Sequence, residues 1–210
     1  MPRPDAVLKI GGSLGRRPAA LRRLLRRLAA LARTRVLVVV PGGGAFADAV
    51  RRADARLGLG DSAAHWMAIL AMDQSAYALA RLAPGTVIRG PRAIRPGRLN
   101  VLAPSAWLLR RDPLPHSWDV TSDAIAAWVA GAVRARRLVL VKAVDGFLPP
   151  GRGRRAPLPR VARRRLRGVV DRYFARVLPA GLSCWIVNGR HPERVIRAVE
   201  TGRAYGTEVR

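Results

Sequence analysis

The residues Ala6–Ser13 form a short apolar run that carries one lysine and ends in two glycines and a serine. The apolar positions are typical of a buried strand, and Gly11, Gly12 and Ser13 are a turn signal. Because glycine lacks a Cβ atom, the backbone N–H groups of this loop can approach a ligand closely. Lys9 comes at the end of the predicted strand, where an ammonium group beside free amides favours phosphate oxygens.

Lysine is almost absent from this basic chain. Of its 39 lysines and arginines, only Lys9 and Lys142 are lysines. Drift in base composition that replaces Lys by Arg would spare positions where a compact, flexible charge is needed. Phosphoryl transfer needs such a charge, because the cation must follow oxygen atoms as the group moves. The alternative is that the two lysines survived by chance, although both follow predicted strands and lie near glycines.

The composition limits the class of protein. A chain of 210 residues, half of them hydrophobic, is long enough for one large domain, alone or with a small lobe. No apolar run approaches the ~20 residues of a membrane span, and the first residues lack the pattern of a signal peptide. The single cysteine, Cys184, excludes a disulfide framework and a thiolate metal cluster. We therefore expect a cytoplasmic protein.

The net charge of +26 has two interpretations. It could indicate nucleic-acid binding, or it could be a surface on which arginine has replaced lysine and acids are scarce. The arginines are scattered, no nucleic-acid-binding motif accompanies them, and 5% aromatic residues are few for a stacking platform. Under either interpretation, the charge would steer small anionic substrates toward the protein.

A second glycine-rich loop follows a second predicted strand. Residues 18–32 have the apolar spacing of a helix, and Val36–Val40 is a continuous β-branched run typical of a parallel strand. Gly42, Gly43 and Gly44 then open a helix over residues 45–57. Both loops therefore follow parallel strands, and we expect them at the same carboxyl edge of one sheet, where ligands bind.

Acidic residues are rare, so their positions are informative. Asp61 and Ser62 are predicted to cap a helix that runs to about Leu82, with His65 one turn further on the same face. Residues 84–115 are irregular, with short apolar pieces. Asp119 and Asp123 precede a helix over residues 124–132, which Thr121 or Ser122 could cap. They either complement that helix dipole or, for Asp123, organise Lys9 at a phosphate site.

The C-terminal third repeats the pattern of strands and turns. A strand over residues 137–141 ends in Lys142, followed by the turn signal Asp145-Gly146. Residues 147–159 are a Pro/Gly/Arg loop that could cover a nucleotide. We predict a helix over 171–178, a strand over 183–187, a helix over 192–200 and a final edge strand over 206–209.

The ordered set of motifs resembles the amino acid kinase family, which includes acetylglutamate kinase, aspartokinase, UMP kinase and isopentenyl phosphate kinase. The motifs are Lys9-Ile-Gly-Gly-Ser13, Pro41-Gly-Gly-Gly44, Asp119-Val-Thr-Ser-Asp123, Lys142-Ala-Val-Asp-Gly146 and Gly206-Thr207. The resemblance implies an α/β fold, a three-layer αβα sandwich around a mainly parallel sheet of about eight strands. It also implies a single domain over 1–210, with an acceptor half (1–132) and a nucleotide half (133–210), in a homo-oligomer.

The resemblance also implies roles for the candidate residues. Lys9 would contact the transferring phosphoryl group, and Asp123 would orient it. The nucleotide ATP would lie along Gly11, Gly12, Ser13, Lys142, Asp145 and Gly146. The acceptor would lie against Gly42, Gly43, Gly44, Asp48, Asp61, His65 and Asp119. Mg²⁺ would be held by the nucleotide phosphates, with no protein metal ligand implied.

Two differences from the family pattern, and one segment similar to a particular branch of the family, limit which acceptor is expected. The chain has no lysine over residues 163–178, where several family members carry one, and His65 stands where UMP kinases have a uridine-reading aspartate. Residues 58–74 resemble a branch that phosphorylates (5-aminomethylfuran-3-yl)methyl phosphate during methanofuran-type cofactor synthesis. Asp61 or Asp48 would pair with the ammonium of that acceptor. The alternatives are a nucleotide- or oxyanion-binding protein without turnover, and a nucleic-acid-binding protein.

Overall fold

The computed structural model describes residues 2–149, 156–166 and 168–210, so the middle of the predicted loop over 147–159 lies outside the described residues. Within these described residues, eight strands form one sheet. Their bounds are β1 Ala6–Ile10, β2 Leu37–Pro41, β3 Gly85–Ile88, β4 Leu99–Leu102, β5 Arg137–Lys142, β6 Arg160–Val161, β7 Ser183–Asn188 and β8 Thr207–Val209. Their order across the sheet is β3-β4-β2-β1-β5-β7-β8-β6.

The sheet is parallel except where β8 pairs with β7 in the antiparallel sense. The predicted mainly parallel sheet is therefore confirmed. The prediction that the last strand forms an edge is wrong, because β8 lies between β7 and β6. The two residues of β6 carry no strand signal of their own, and they pair through Arg160 with Glu208 and through Val161 with Val209.

Helices cover both faces of the sheet. Their bounds are α1 Pro18–Leu31, α2 Gly44–Leu57, α3 Asp61–Leu82, α4 Ser105–Arg111, α5 Ser122–Ala132, α6 Phe174–Val177 and α7 Pro192–Thr201. Buried residues of α1 and α7 belong to one core cluster, and those of α5 and α6 belong to the other. No helix in the described part of the chain is long and apolar enough to cross a membrane.

Two helices differ from the prediction, and in each a carboxylate accepts a hydrogen bond from the first N–H group of the helix. The helix α4 lies in the stretch predicted to be irregular, and its first N–H group, that of Ser105, donates to Asp73 at 3.0 Å. The helix α6 is shorter than the predicted 171–178, because Asp171 accepts from the N–H of Phe174 at 2.7 Å and so precedes the helix. Asp73 lies 32 residues before Ser105 and leaves no local signal, whereas Asp171 is three residues before Phe174, the spacing of an ordinary N-terminal cap.

Side chains along β1 and β5 alternate between the two faces of the sheet, and this determines the face on which each lysine lies. In β1, Ala6, Leu8 and Ile10 pack in the core on the α1 side, whereas Val7 packs on the α5 side. Because successive side chains of a strand point to opposite faces, Lys9 shares the α5 side. Lys142 has the same parity as Leu138 and Leu140, which also pack on that side. The two adjacent parallel strands therefore aim their lysines toward the same helix.

Candidate active site

Lys9 and Lys142 share one carboxylate at the carboxyl edge of the sheet. Lys142 donates to Oδ2 of Asp123 at 2.5 Å. The ammonium of Lys9 lies 3.0 Å from Oδ1 of the same carboxylate, in an ion pair without hydrogen-bond geometry. Asp123 is the second residue of α5, so the start of that helix brings the carboxylate onto both strands. The sequence-predicted residues Lys9, Asp123 and Lys142 thus form one cluster.

The cluster carries an excess positive charge in a buried place. Lys9 is 6% exposed and Asp123 is 4% exposed. Although burial of Asp123 opposes its ionisation, the charges of Lys9 and Lys142 hold its pKa below the ordinary value. Burial, and then the charge of Lys9, lower the pKa of Lys142 against the pull of Asp123. Two ammonium groups facing one carboxylate leave one positive charge that an anion would compensate.

The two glycine loops pack directly on one another beside this cluster. A Cβ atom on Gly12 would lie 2.4 Å from Cα of Gly44, so a side chain at Gly12 would force the loops apart. Gly44 has φ of +55°, a backbone conformation that glycine adopts at little cost. The N–H of Gly11 donates to the carbonyl of Val141 at 3.1 Å, and that of Gly42 donates to Ile10 at 2.8 Å. The loops therefore form one continuous rim.

The N-terminus of α5 is capped by a residue that the sequence did not indicate. Thr121 is the N-cap residue, as predicted, but its side chain makes no hydrogen bond to the N–H groups of the helix. Asp171 instead accepts from the N–H groups of Thr121 (3.1 Å) and Ala124 (2.8 Å) and from the Thr121 hydroxyl (2.8 Å). Burial raises the pKa of Asp171, and the nearby charge of Asp123 adds to the increase. Asp171 thereby fixes the helix end that carries Asp123.

A cavity of about 660 Å³ opens on the side of the rim where α2 and α3 lie. Its lining includes the predicted residues Gly12, Ser13, Gly42, Gly43, Gly44, Asp48 and His65. Two other predicted acceptor residues do not line it. Asp61 is exposed as the first residue of α3, and the exposed Asp119 lies 3.6 Å from Arg172. The prediction that Asp61 or Ser62 caps α3 is also wrong, because the cap residue is Gly60.

His65 is buried against other aromatic side chains at the cavity wall. Its ring stacks on His116 at 4.5 Å between centroids, and the ring of Trp66 meets both edge-on. His116 in turn bonds to the Ser62 hydroxyl at 2.8 Å and to Asp112 at 2.9 Å. Burial and the neighbouring His116 lower the pKa of His65 to about 4, against the pull of Asp112. His65 is therefore a neutral ring near pH 7.

The turn after β5 is held by residues of β7 and α7. One oxygen of Asp145 accepts from Arg194 at 2.7 Å and from Asn188 at 3.1 Å. The guanidinium of Arg194 also lies 4.4 Å from the ring centroid of Tyr205. A Cβ atom on Gly146 would lie 2.6 Å from Oγ1 of Thr207, so this glycine allows the turn to pack on the last strand. Asp145 and Gly146 therefore have structural partners on the β5 side of the cluster.

Among the residues of the cavity wall that sequence reasoning missed are Arg51 and Trp118, which stack on one another. Arg51 lies in α2, and Trp118 lies in the segment before α5. The guanidinium of Arg51 lies 4.4 Å from the Trp118 ring centroid. The indole N–H of Trp118 donates to Asp54 at 2.7 Å. One feature of the sequence could have pointed to Trp118: a tryptophan, a rare residue, stands directly before the Asp119 motif.

Comparisons with known proteins agree on the fold and on the family. The profile of the Amino acid kinase family matches residues 6–169. The chain is 32% identical over 201 residues to a [5-(aminomethyl)furan-3-yl]methyl phosphate kinase of Methanocaldococcus jannaschii, covering 92% of each chain. Its fold is similar to those of a uridylate kinase of Archaeoglobus fulgidus (TM-score 0.75, 20% identity, 98% and 99% coverage) and a T. acidophilum isopentenyl phosphate kinase (TM-score 0.62, 19% identity, 98% and 99% coverage).

Proposed function

Because this chain belongs to the amino acid kinase family and is a phosphotransferase, we propose that it transfers the γ-phosphoryl group of ATP to a small acceptor phosphate. The observation that carries the proposal is the Lys9–Asp123–Lys142 cluster, which holds an excess positive charge beneath two glycine-rich loops. We propose that ATP occupies the side of Lys142, mainly within residues 133–210 and with its phosphates at Gly11, Gly12 and Ser13. The acceptor would occupy the cavity beside them, within residues 1–132.

The reaction that this arrangement supports is an in-line displacement. An oxygen of the acceptor phosphate forms a bond to the γ-phosphorus of ATP, and the bond from that phosphorus to the β–γ bridging oxygen breaks, releasing ADP. The acceptor oxygen is already ionised near neutral pH, so no side chain has to remove a proton. The chain contributes positioning and compensation of charge, with Lys9 on the transferring group and Asp123 orienting Lys9.

The residues near the cluster do not form a cage for Mg²⁺. No group of three His, Cys, Asp or Glu side chains lies close enough to hold a metal within the described residues. Asp123 is the carboxylate at the cluster, and both of its oxygens face ammonium groups. We propose that Mg²⁺ arrives bound to the ATP phosphates, which supply most of its oxygen ligands.

We propose that the acceptor is (5-aminomethylfuran-3-yl)methyl phosphate or a compound of the same kind. The name of the M. jannaschii relative supplies this candidate. The cavity of about 660 Å³ is large enough for a small acceptor. Its wall combines glycine amides for a phosphate, apolar side chains such as Ile69 and Met72 for a ring, and the carboxylate of Asp48 for an ammonium.

The test measures ADP release from ATP and Mg²⁺ with a panel of phosphate monoesters and carboxylates, including the furan phosphate. We expect ADP release that depends on a phosphate monoester, with a diphosphate ester as product by ³¹P NMR. ATP binding without ADP release for every acceptor would contradict the proposal and would favour the non-catalytic nucleotide-binding protein. Binding to DNA or RNA with a steep salt dependence would favour the nucleic-acid alternative.

A further inference from the structure

Three polar side chains outside the cavity lining form a serine–histidine–aspartate arrangement at the start of α3. The hydroxyl of Ser62 lies 2.8 Å from Nδ1 of His116, and Nε2 of His116 lies 2.9 Å from Oδ1 of Asp112. Because an ionised carboxylate can only accept, the Nε2 hydrogen is donated to Asp112, and Nδ1 is left to accept from the Ser62 hydroxyl. A serine, a base and an acid that orients the base are thus joined in the order that activates a hydroxyl for nucleophilic attack.

The ring of His116 is held in this orientation by two aromatic neighbours. It stacks on His65 with 4.5 Å between the ring centroids and an angle of 18° between the planes. Trp66 meets the same ring edge-on, with 5.1 Å between the centroids. Because burial and the neighbouring His116 lower the pKa of His65 to about 4, the His65 ring is neutral near pH 7. The stack therefore fixes the imidazole without opposing a proton taken up by His116.

Ser62 is accessible, and unbonded backbone amides lie beside it. It is exposed, as the second residue of α3. In the part of the chain that the structure describes, the N–H groups of Ser62 and Ala63 have no acceptor. Such N–H groups at the positive end of a helix dipole stabilise the negative oxygen that forms when a hydroxyl adds to a carbonyl. Because the hydroxyl stands on an open surface, small esters with a good leaving group are the class that suits it.

We propose that Ser62 is a nucleophile for small carboxylic esters, with His116 as its general base and Asp112 as the residue that positions His116. Oγ of Ser62 forms a bond to the carbonyl carbon while its proton passes to Nδ1 of His116. The bond from that carbon to the leaving alcohol then breaks, the alcohol takes the proton from His116, and acyl-Ser62 remains. Water attacks the acyl group in the same way and releases the acid. This inference does not rest on the proposed function, because none of the three side chains lines the cavity.

The test uses two probes, a fluorophosphonate that traps activated serines and p-nitrophenyl acetate as an ester substrate. Peptide mapping should show that the fluorophosphonate labels Ser62 at least about 100-fold faster than any other serine, as one general base provides. Ser62→Ala should abolish this labelling and the hydrolysis of p-nitrophenyl acetate. His191→Gln is the matched control, because His191 also faces a carboxylate, that of Glu193 at 3.5 Å. It should change neither rate.

Variants of the other two residues separate activation of Ser62 from its mere exposure. His116→Phe keeps a ring against His65 but has no nitrogen to take the proton, so labelling of Ser62 should fall by at least about 100-fold. Asp112→Asn should lower it by at least about 10-fold, because the imidazolium loses its carboxylate partner. Asp112→Glu, which restores a carboxylate, should recover most of the rate. Thermal unfolding of each variant shows that the protein is folded.

Each part of the inference has its own contradicting result. Labelling of Ser62 no faster than that of the other serines would overturn the nucleophile, whatever the kinase assay shows. Equal labelling of the wild-type protein and His116→Phe would overturn the general base, and equal rates in Asp112→Asn and Asp112→Glu would overturn the positioning role of Asp112. Labelling without hydrolysis of p-nitrophenyl acetate would overturn the step with water. Ser62→Ala should leave ADP release unchanged, so the two activities are separable.

Discussion

At the scale of single residues, Asp123 has the most consequences, because it is the shared partner of two buried ammonium groups. Replacement by Asn would leave both cations without a countercharge, and removing one partner of a buried ion pair costs about 3–5 kcal/mol. We predict that Asp123→Asn lowers the free energy of unfolding by about this amount near pH 7 and abolishes turnover. Urea denaturation measures the first effect. Asp119→Asn, at an exposed pair with Arg172, should change stability by less than about 1 kcal/mol.

The difference in stability between the wild-type protein and Asp123→Asn should depend on pH in a defined way. The pKa of Asp123 lies below the ordinary value in the folded protein, so the unfolded chain takes up its proton first as the pH falls. The stabilisation is complete above the ordinary carboxyl pKa of about 4 and is lost as the pH falls through the lower, folded value. The stability gap between wild type and Asp123→Asn should therefore shrink toward low pH. A constant gap would contradict this account.

We predict that activity falls at alkaline pH as Lys142 loses its proton. Burial and the charge of Lys9 lower its pKa, so Lys142 loses its proton below the pH at which an ordinary lysine does. If its charge is needed, kcat should fall in that range. Lys142→Arg keeps the charge at all accessible pH values, so the variant should have a lower kcat but an alkaline limb displaced to higher pH. An unchanged limb in the pH–rate profile would exclude Lys142 as its source.

At the scale of elements, the two glycine loops act as one unit because Gly12 lies against Gly44. A Cβ atom at Gly12 would be 2.4 Å from the Gly44 backbone, and overpacking of this kind typically costs 1–3 kcal/mol, so about that loss of stability is expected. We predict that Gly12→Ala also raises the KM values for both substrates. Gly15→Ala, where a Cβ would meet nothing within 4 Å, is the control for stability. Equal stability of the two variants would show that the loops do not touch in solution.

The sequence predicted elements whose signals are local, and it failed where distant residues decide. The strand β1 and its glycine loop were predicted because an apolar run and a turn signal lie side by side. The parity of Lys9 and Lys142 was also readable, since alternate residues of parallel strands share a face. The cap of α5 was not predictable, because Asp171 comes from 50 residues further along the chain. The start of α4 depends in the same way on Asp73.

For the candidate site, too, local signals in the sequence were the better guide. The residues predicted from glycine loops and strand ends meet at one rim, whereas Asp61 and Asp119, chosen from helix starts, lie outside the cavity lining. A helix start was an uneven guide, because its position relative to the sheet depends on packing. Asp123 and His65 were chosen in the same way, and they do reach the cluster and the cavity wall. Arg51 and Trp118 were missed because their stacking joins two segments that are distant in the chain.

At the scale of the whole molecule, the net charge of +26 should act on the rate of encounter with anionic substrates. Added salt screens such steering, with a Debye length of about 8 Å at physiological ionic strength. We predict that kcat/KM for ATP falls several-fold between low and moderate NaCl, while kcat is nearly constant. Steady-state kinetics at fixed Mg²⁺ measures this. A salt-independent kcat/KM would show that the arginine surface has no part in substrate capture.

The most direct test of the central claim is single-turnover ADP release by Lys9→Met. This substitution removes the ammonium and keeps the rest of the side chain's length, and Asp123 retains Lys142 as its partner, so the urea midpoint should show a folded protein. If Lys9 stabilises the transferring phosphoryl group, the rate should fall by at least about 10²- to 10³-fold. Arg22→Met, at an exposed position of α1, should leave the rate unchanged. A rate near that of the wild type in Lys9→Met would contradict the account.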